Sequence, residues 1–230
     1  MANTRAGRLV AVVIILVGAV LLIAALFTPW YSYEISGHSA SETANFYLGV
    51  PSTSGTIQYS CSGISFCQTQ TSYSQKDLNN SGMIAEAAFF LLIGGLVLGI
   101  IAGLVGMAYR GSSRRTTFAI ALALVALILA VSAPGLFAAA LPGAISSDHN
   151  LGSPGGNGPW NSFYGSSSTT FLGVSATTTW GPALGWYLSI VAVVFLLVGA
   201  ILLFRARRES PAPTTVPAPA AAPSAVPPST

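Results

Sequence analysis

Residues 83–109 read MIAEAAFFLLIGGLVLGIIAGLVGMAY, an apolar run whose single charge, Glu86, sits in its first turn. A bilayer core about 30 Å thick is crossed by about 20 residues of helix, so this run is long enough to span it. A buried helix of a water-soluble domain is seldom this long and this free of charge. Three further runs have the same character: residues 9–29, apolar from Leu9 to Phe27; residues 117–141; and residues 183–204. The composition as a whole agrees, with 52% hydrophobic residues, 7% charged and a mean hydropathy of +0.67. A soluble domain carries roughly 25% charged residues. The expected fold class is an all-α membrane protein, a left-handed bundle of four transmembrane helices.

Charge placement sets the expected orientation. Arg5 and Arg8 precede the first run, Arg110, Arg114 and Arg115 separate the second from the third, and Arg205, Arg207 and Arg208 follow the fourth. Of the cationic residues only Lys76 falls on the other side. Positive residues collect on the cytoplasmic side of membrane proteins, so both termini are expected there, in a multi-pass protein of the cell membrane. Five acids, Glu34, Glu42, Asp77, Glu86 and Asp148, fall on or beside the opposite side. The net charge of +3 is thus a topology signal, and no basic cluster interleaved with stacking aromatics points to nucleic acid. The first run exceeds the roughly 7–15 apolar residues of a signal peptide, so a retained helix is expected.

Two polar loops, residues 30–82 and 142–182, join the runs on the outer side. Tyr31, Tyr33 and Ile35 alternate with Ser32, Glu34 and Ser36, and Ile57, Tyr59 and Cys61 repeat the pattern. Thr169 to Trp180 is rich in Thr and bounded by Gly and Pro. Period-two runs of this kind predict half-buried strands, hence a small extracellular antiparallel sheet drawn from both loops. A weak internal repeat aligns Pro29 with Pro134, and Leu48-Gly49-Val50 with Leu172-Gly173-Val174. Domain organisation is then a membrane domain over 1–208 and a tail over 209–230. That tail holds seven of the fourteen prolines and reads as disordered.

Few residues suggest chemistry. Cys61 and Cys67 are the only cysteines; outside the membrane an oxidising environment favours a disulfide between them. A two-cysteine metal site lacks further ligands in the sequence. Gly95, Gly99 and Gly103 recur every four residues, the spacing that lets membrane helices approach closely, either within the chain or at an oligomer seam. Glu86 lies close enough to the outer interface to reach water, which favours a structural role. His38 and His149 are loop residues outside any catalytic or metal-binding motif, and Asn79-Asn80-Ser81 is a glycosylation sequon close to the membrane. No cofactor is called for, and no small-molecule substrate is identifiable.

Trp30 opens the first loop within Thr28-Pro29-Trp30-Tyr31, Phe46-Tyr47-Leu48-Gly49 follows, and Cys61 and Cys67 come next. Trp180-Gly181-Pro182-Ala183-Leu184-Gly185-Trp186 leads into the fourth run. With four spans and a long first loop, this pattern resembles the claudin and peripheral-myelin-protein tetraspan superfamily. A second loop tryptophan and the arginine before the second span are absent, so a tight-junction role is not carried over. The resemblance implies an outer sheet that makes contacts between molecules, with Trp30, Tyr31, Trp180 and Trp186 as its structural or contact residues. The expected function is a non-enzymatic structural or interaction protein whose partners are the lipid bilayer and itself or another membrane protein. The alternative is an accessory subunit of a larger membrane enzyme or transporter.

Overall fold

A computed structural model describes residues 2–37, 40–49, 55–63, 70–74, 78–108, 113–148, 162–171 and 174–208. Four helices account for the apolar runs: α1 (Ala2–Phe27), α2 (Asn79–Ala108), α3 (Ser113–Asp148) and α4 (Leu184–Arg208). Each is long and apolar enough to cross a membrane. Helix ends run past the apolar stretches: α1 starts at Ala2 rather than Leu9, α3 at Ser113 rather than Thr117, and α4 ends at Arg208 rather than Phe204. α2 begins at Asn79 rather than Met83, and α3 continues past Leu141 to Asp148, through Pro134 and Pro142. Interior prolines each remove a backbone hydrogen bond, a loss that membrane helices tolerate where neighbours compensate. Separately, the indole N–H of Trp186 on α4 donates to the Pro134 carbonyl at 3.1 Å and ties α3 to α4. The supposed repeat fails at this point, because Pro29 follows the end of α1 while Pro134 lies within α3.

α2 packs along α3 and α1 along α4, with further contacts between α1 and α2 and between α3 and α4. Glycine sets the closest approach. A Cβ on Gly95 would lie 3.0 Å from the Ala126 carbonyl and 3.1 Å from the Ala130 amide of α3. Gly99 faces Leu196 of α4, and Gly103 faces Ile15 and Leu16 of α1. Of the two readings of this stripe, the structure puts these glycines in packing within the chain. Gly135 on α3 has open space around it. Gly95→Leu is therefore expected to lower stability by about 1–3 kcal/mol through overpacking, whereas Gly135→Leu changes it little. Thermal unfolding in detergent separates the two, and equal effects would remove the close-approach argument.

The polar loops form one antiparallel sheet of six strands in the order β4-β3-β2-β1-β6-β5. The strands are β1 (Tyr31–Ser36), β2 (Ser41–Phe46), β3 (Thr56–Ser62), β4 (Gln70–Ser72), β5 (Gly165–Phe171) and β6 (Val174–Pro182). The chain is thus mixed helix and sheet, which corrects the all-α class. β1 sits at the centre, paired with β2 on one side and with β6 from the second loop on the other. That placement follows from chain connection. β1 leaves α1 and β6 enters α4, and these two helices are neighbours. Alternation then sets the register, since a slip of one residue would exchange the two faces of a strand.

Candidate interaction surface

At the sheet end of the molecule the helix termini satisfy one another. The last carbonyls of a helix and its first amides have no partner within it. At the end of α1, the Thr28 hydroxyl donates to the Ala24 carbonyl at 3.0 Å and the Trp30 indole to the Ala25 carbonyl at 2.7 Å. At the start of α4, the Gly185 amide donates to the Pro29 carbonyl at 2.7 Å, and the Ala183 amide to the Trp30 carbonyl at 3.0 Å. Gly185 is required here, since a Cβ would lie 2.6 Å from Trp30 Cδ1 and 2.8 Å from the Thr28 carbonyl. The other pair is joined by a side chain. Asp148, the last residue of α3, accepts from the Asn80 amide at 2.8 Å, the Ser81 amide at 2.9 Å and the Ser81 hydroxyl at 2.7 Å. A carboxylate is suited to a helix N-terminus, where the dipole is positive.

Aromatic rings seal this junction. Trp30 is fully buried and meets Phe137 edge-on at 5.3 Å. Phe163 lies between Tyr31, Phe137 and Trp186, with ring centres 5.7, 6.1 and 5.6 Å away. Phe46 continues the chain of rings to Tyr73. Trp180 is buried over Gly165, and its indole donates to the Ser162 carbonyl at 3.2 Å. Trp30, Tyr31 and Trp186 are thus brought together, while Trp180 stands one row further along the sheet. From the sequence Asp148 reads only as an acid of the outer side, and nothing there marks Phe163. An acid at the end of an extended α3 was the available signal for Asp148, but it was hidden by ending the span at Leu141.

The sheet has two unlike faces. Tyr31, Tyr33 and Ile35 share one with Phe46, Ala44 and Glu42, and with Ile57, Tyr59 and Cys61. Burial on this face is greatest beside the helices, at Tyr31, Phe46 and Ile57, and falls off along the strands. Its opposite face presents Ser32, Glu34, Ser36, Ser41, Thr43, Asn45, Gln58, Ser60, Ser166, Ser168, Thr177 and Thr179. Those side chains are hydroxyls and amides with one acid.

No free cysteine occurs among the described residues; Cys61 lies opposite Glu42, and Cys67 lies outside them. His38, Lys76, Asp77, Arg110, His149 and the tail also lie outside. Arg5 and Arg8 fall on α1, Arg114 and Arg115 on α3, and Arg205, Arg207 and Arg208 on α4, all toward the helix ends remote from the sheet. No group of metal-binding side chains is found among the described residues. The chain matches no known protein family and no curated protein.

Burial raises the phenols of Tyr31 and Tyr73 well above the usual tyrosine range. Tyr33 and Tyr59 are also raised, by burial first and then by the Glu42 carboxylate nearby, with a Thr178 hydrogen bond acting the other way at Tyr33. A raised phenol favours its neutral form, so its contribution to stability is complete below an unfolded pKa of about 10 and lost as pH climbs through the folded value. Phenolate absorbance of Tyr31 and Tyr73 is therefore expected to appear only with unfolding in alkali. The Tyr73 hydroxyl finds no hydrogen-bond partner among the described residues. Tyr73→Phe should then keep or raise stability, and a clear loss would mean that the hydroxyl is bonded.

Proposed function

We infer that this chain is a non-enzymatic tetraspan membrane protein of claudin-like design, whose outer sheet makes contacts between molecules. Both termini and the arginine-bearing helix ends face the cytoplasm, the sheet lies outside the cell, and the four helices form a left-handed bundle. Cys61, within β3, and Cys67 form a disulfide. The observation that carries this reading is the joining of both loops into one six-stranded sheet through β1. Separate loops would suffice to connect helices; one sheet offers a broad rigid surface held by the helix ends. Its hydroxyl- and amide-rich face suits wet, polar contact, in the manner of interface rims.

The test is crosslinking in the native membrane followed by mass spectrometry. Ladders of the chain with itself, lost when the outer loops are trimmed, are expected. A single adduct with a different, larger membrane protein would instead make the chain an accessory subunit. One observation favours that second reading. Glu86 lies on the side of α2 that carries Met83 and Phe90, which are 67% and 53% exposed. An acid among lipid-facing side chains suits a partner helix that supplies a donor.

A further inference from the structure

At the helix ends remote from the sheet, α1 and α4 pack closely and both carry arginine. A Cβ on Gly199 of α4 would lie 2.5 Å from Ile15 Cγ1 and 3.2 Å from the Ala11 carbonyl of α1. A Cβ on Gly18 of α1 would likewise lie 3.2 Å from the Ala192 carbonyl of α4. Counting equal steps along the two antiparallel helices from these contacts puts Arg8 level with Phe204 and Arg205. Arg5 then stands level with Arg207. Helix phase brings them to the seam. Arg8 and Arg5 fall one heptad before Ile15 and Val12, and Arg207 one heptad after Ala200, all three of those positions being buried. A seven-residue step returns nearly to the same helical face. Arg5, Arg8, Arg205, Arg207 and Arg208 thus end one closely packed helix pair, with a single acid, Glu209, beside them in the sequence.

Orientation in the membrane does not require this placement, because the positive-inside bias counts charge near span ends whichever face bears it. Cations on facing stripes repel one another. At the first turn of α1, which has no acid, the helix dipole opposes them as well. An anion seated between the two helices removes both conflicts. We propose that this seam binds one anionic phospholipid of the adjoining leaflet, its phosphate held by the arginines of α1 and α4. Charge selects the headgroup, since clustered arginine beside a span attracts anionic lipid and guanidinium forks match phosphate oxygens in pairs. Apolar continuity selects a lipid over a soluble phosphate. Val10 of α1 and Val198 of α4 are exposed and lie further into the span. They stand on the sides turned from α2, which meets Val12 and Leu203 at Gly106. An acyl chain can lie along them while its phosphate stays at the arginines. The seam is at the opposite end of the molecule from the sheet, so it is independent of the contact role inferred above.

Full-length chain in mild detergent is offered phosphatidylglycerol and phosphatidylcholine of equal chain length and concentration, and bound lipid is counted by native mass spectrometry. Retention of one phosphatidylglycerol is expected, preferred about tenfold over phosphatidylcholine, with a rise in unfolding temperature. Equal retention of the two lipids by the unsubstituted chain would overturn the site. Arg8→Gln with Arg207→Gln should abolish the preference. Arg205→Gln, at an exposed position, should lower it without altering the unfolding of the lipid-free chain. Arg114→Gln with Arg115→Gln removes the same charge from the start of α3 and should leave the preference intact. Equal losses from the two double variants would show attraction to the overall charge of that side and overturn a seat between α1 and α4. Inorganic phosphate without lipid should shift the unfolding temperature little. A shift as large as the lipid's would make the ligand a soluble phosphate and overturn the lipid.

Discussion

Trp30→Ala is expected to lower the stability of the folded chain by about 3–5 kcal/mol, the range for deleting a large buried aromatic. The indole is fully buried, meets Phe137 at 5.3 Å, and donates to the Ala25 carbonyl at 2.7 Å. Its loss opens a cavity between α1, α3 and the start of α4, and leaves an end carbonyl of α1 unpaired. The backbone of the same residue ties β1 to both neighbours, receiving from Ala183 and donating to the Phe46 carbonyl at 2.8 Å. Trp30→Phe separates the contributions, since it keeps most of the ring packing and removes only the donor. It should cost about 1 kcal/mol, the net worth of one hydrogen bond, plus a small cavity. Denaturant unfolding in detergent reads all three proteins. A Trp30→Ala protein as stable as the original would show that the junction does not hold the sheet to the helices.

Asp148→Ala should cost about 2–4 kcal/mol. Three donors at the start of α2 lose their acceptor, and hydrogen bonds to a charged group are worth about 1.5–3 kcal/mol each but overlap when they share one carboxylate. Asp148→Asn retains a carbonyl acceptor and gives up the charge, so a smaller loss is expected. The partner Ser81 is itself almost fully buried. Ser81→Ala combined with Asp148→Ala is then expected to cost less than the sum of the two single changes. Additive losses would mean that the two side chains do not act on each other. Hydrogen exchange at Asn80 and Ser81 supplies a local check, because fraying of α2 should begin at those amides. Asn79 of the sequon starts the same helix, so a glycan there would sit beside this cap.

These residues mark the boundary of what is legible in the sequence. The four apolar runs are local properties, and hydropathy finds them because lipid acts on every residue of a span alike. Strands β1 and β3 also declare themselves, since alternation of Tyr and Ile with polar residues is a local pattern, whereas the stretch 169–180, read as one strand-like run, is divided between β5 and β6. β2, Ser-Glu-Thr-Ala-Asn-Phe, carries only a faint alternation and was not anticipated. It forms because β1 and β3 flank it, Ala44 and Phe46 facing inward beside Tyr33 and Tyr31. Hydropathy also ended α3 too early, because it scores Ser146, Ser147 and Asp148 as loop. Helical residues remain stable there once their polar groups are used. Ser146 and Ser147 donate to the Gly143 carbonyl, and Asp148 caps a different helix.

The sequence by itself determined that there are four helices long and apolar enough to span a membrane, which ends of them carry arginine, and that both polar loops favour strands. Each of these depends on residues near one another along the chain. Only the tertiary structure decided that the loops merge into one sheet with β1 at its centre, that Gly95, Gly99 and Gly103 face neighbouring helices, and that α3 caps α2. Those outcomes depend on which helix ends become neighbours. An unpaired carbonyl or amide at a helix end carries no mark in the sequence of the distant residue that will meet it.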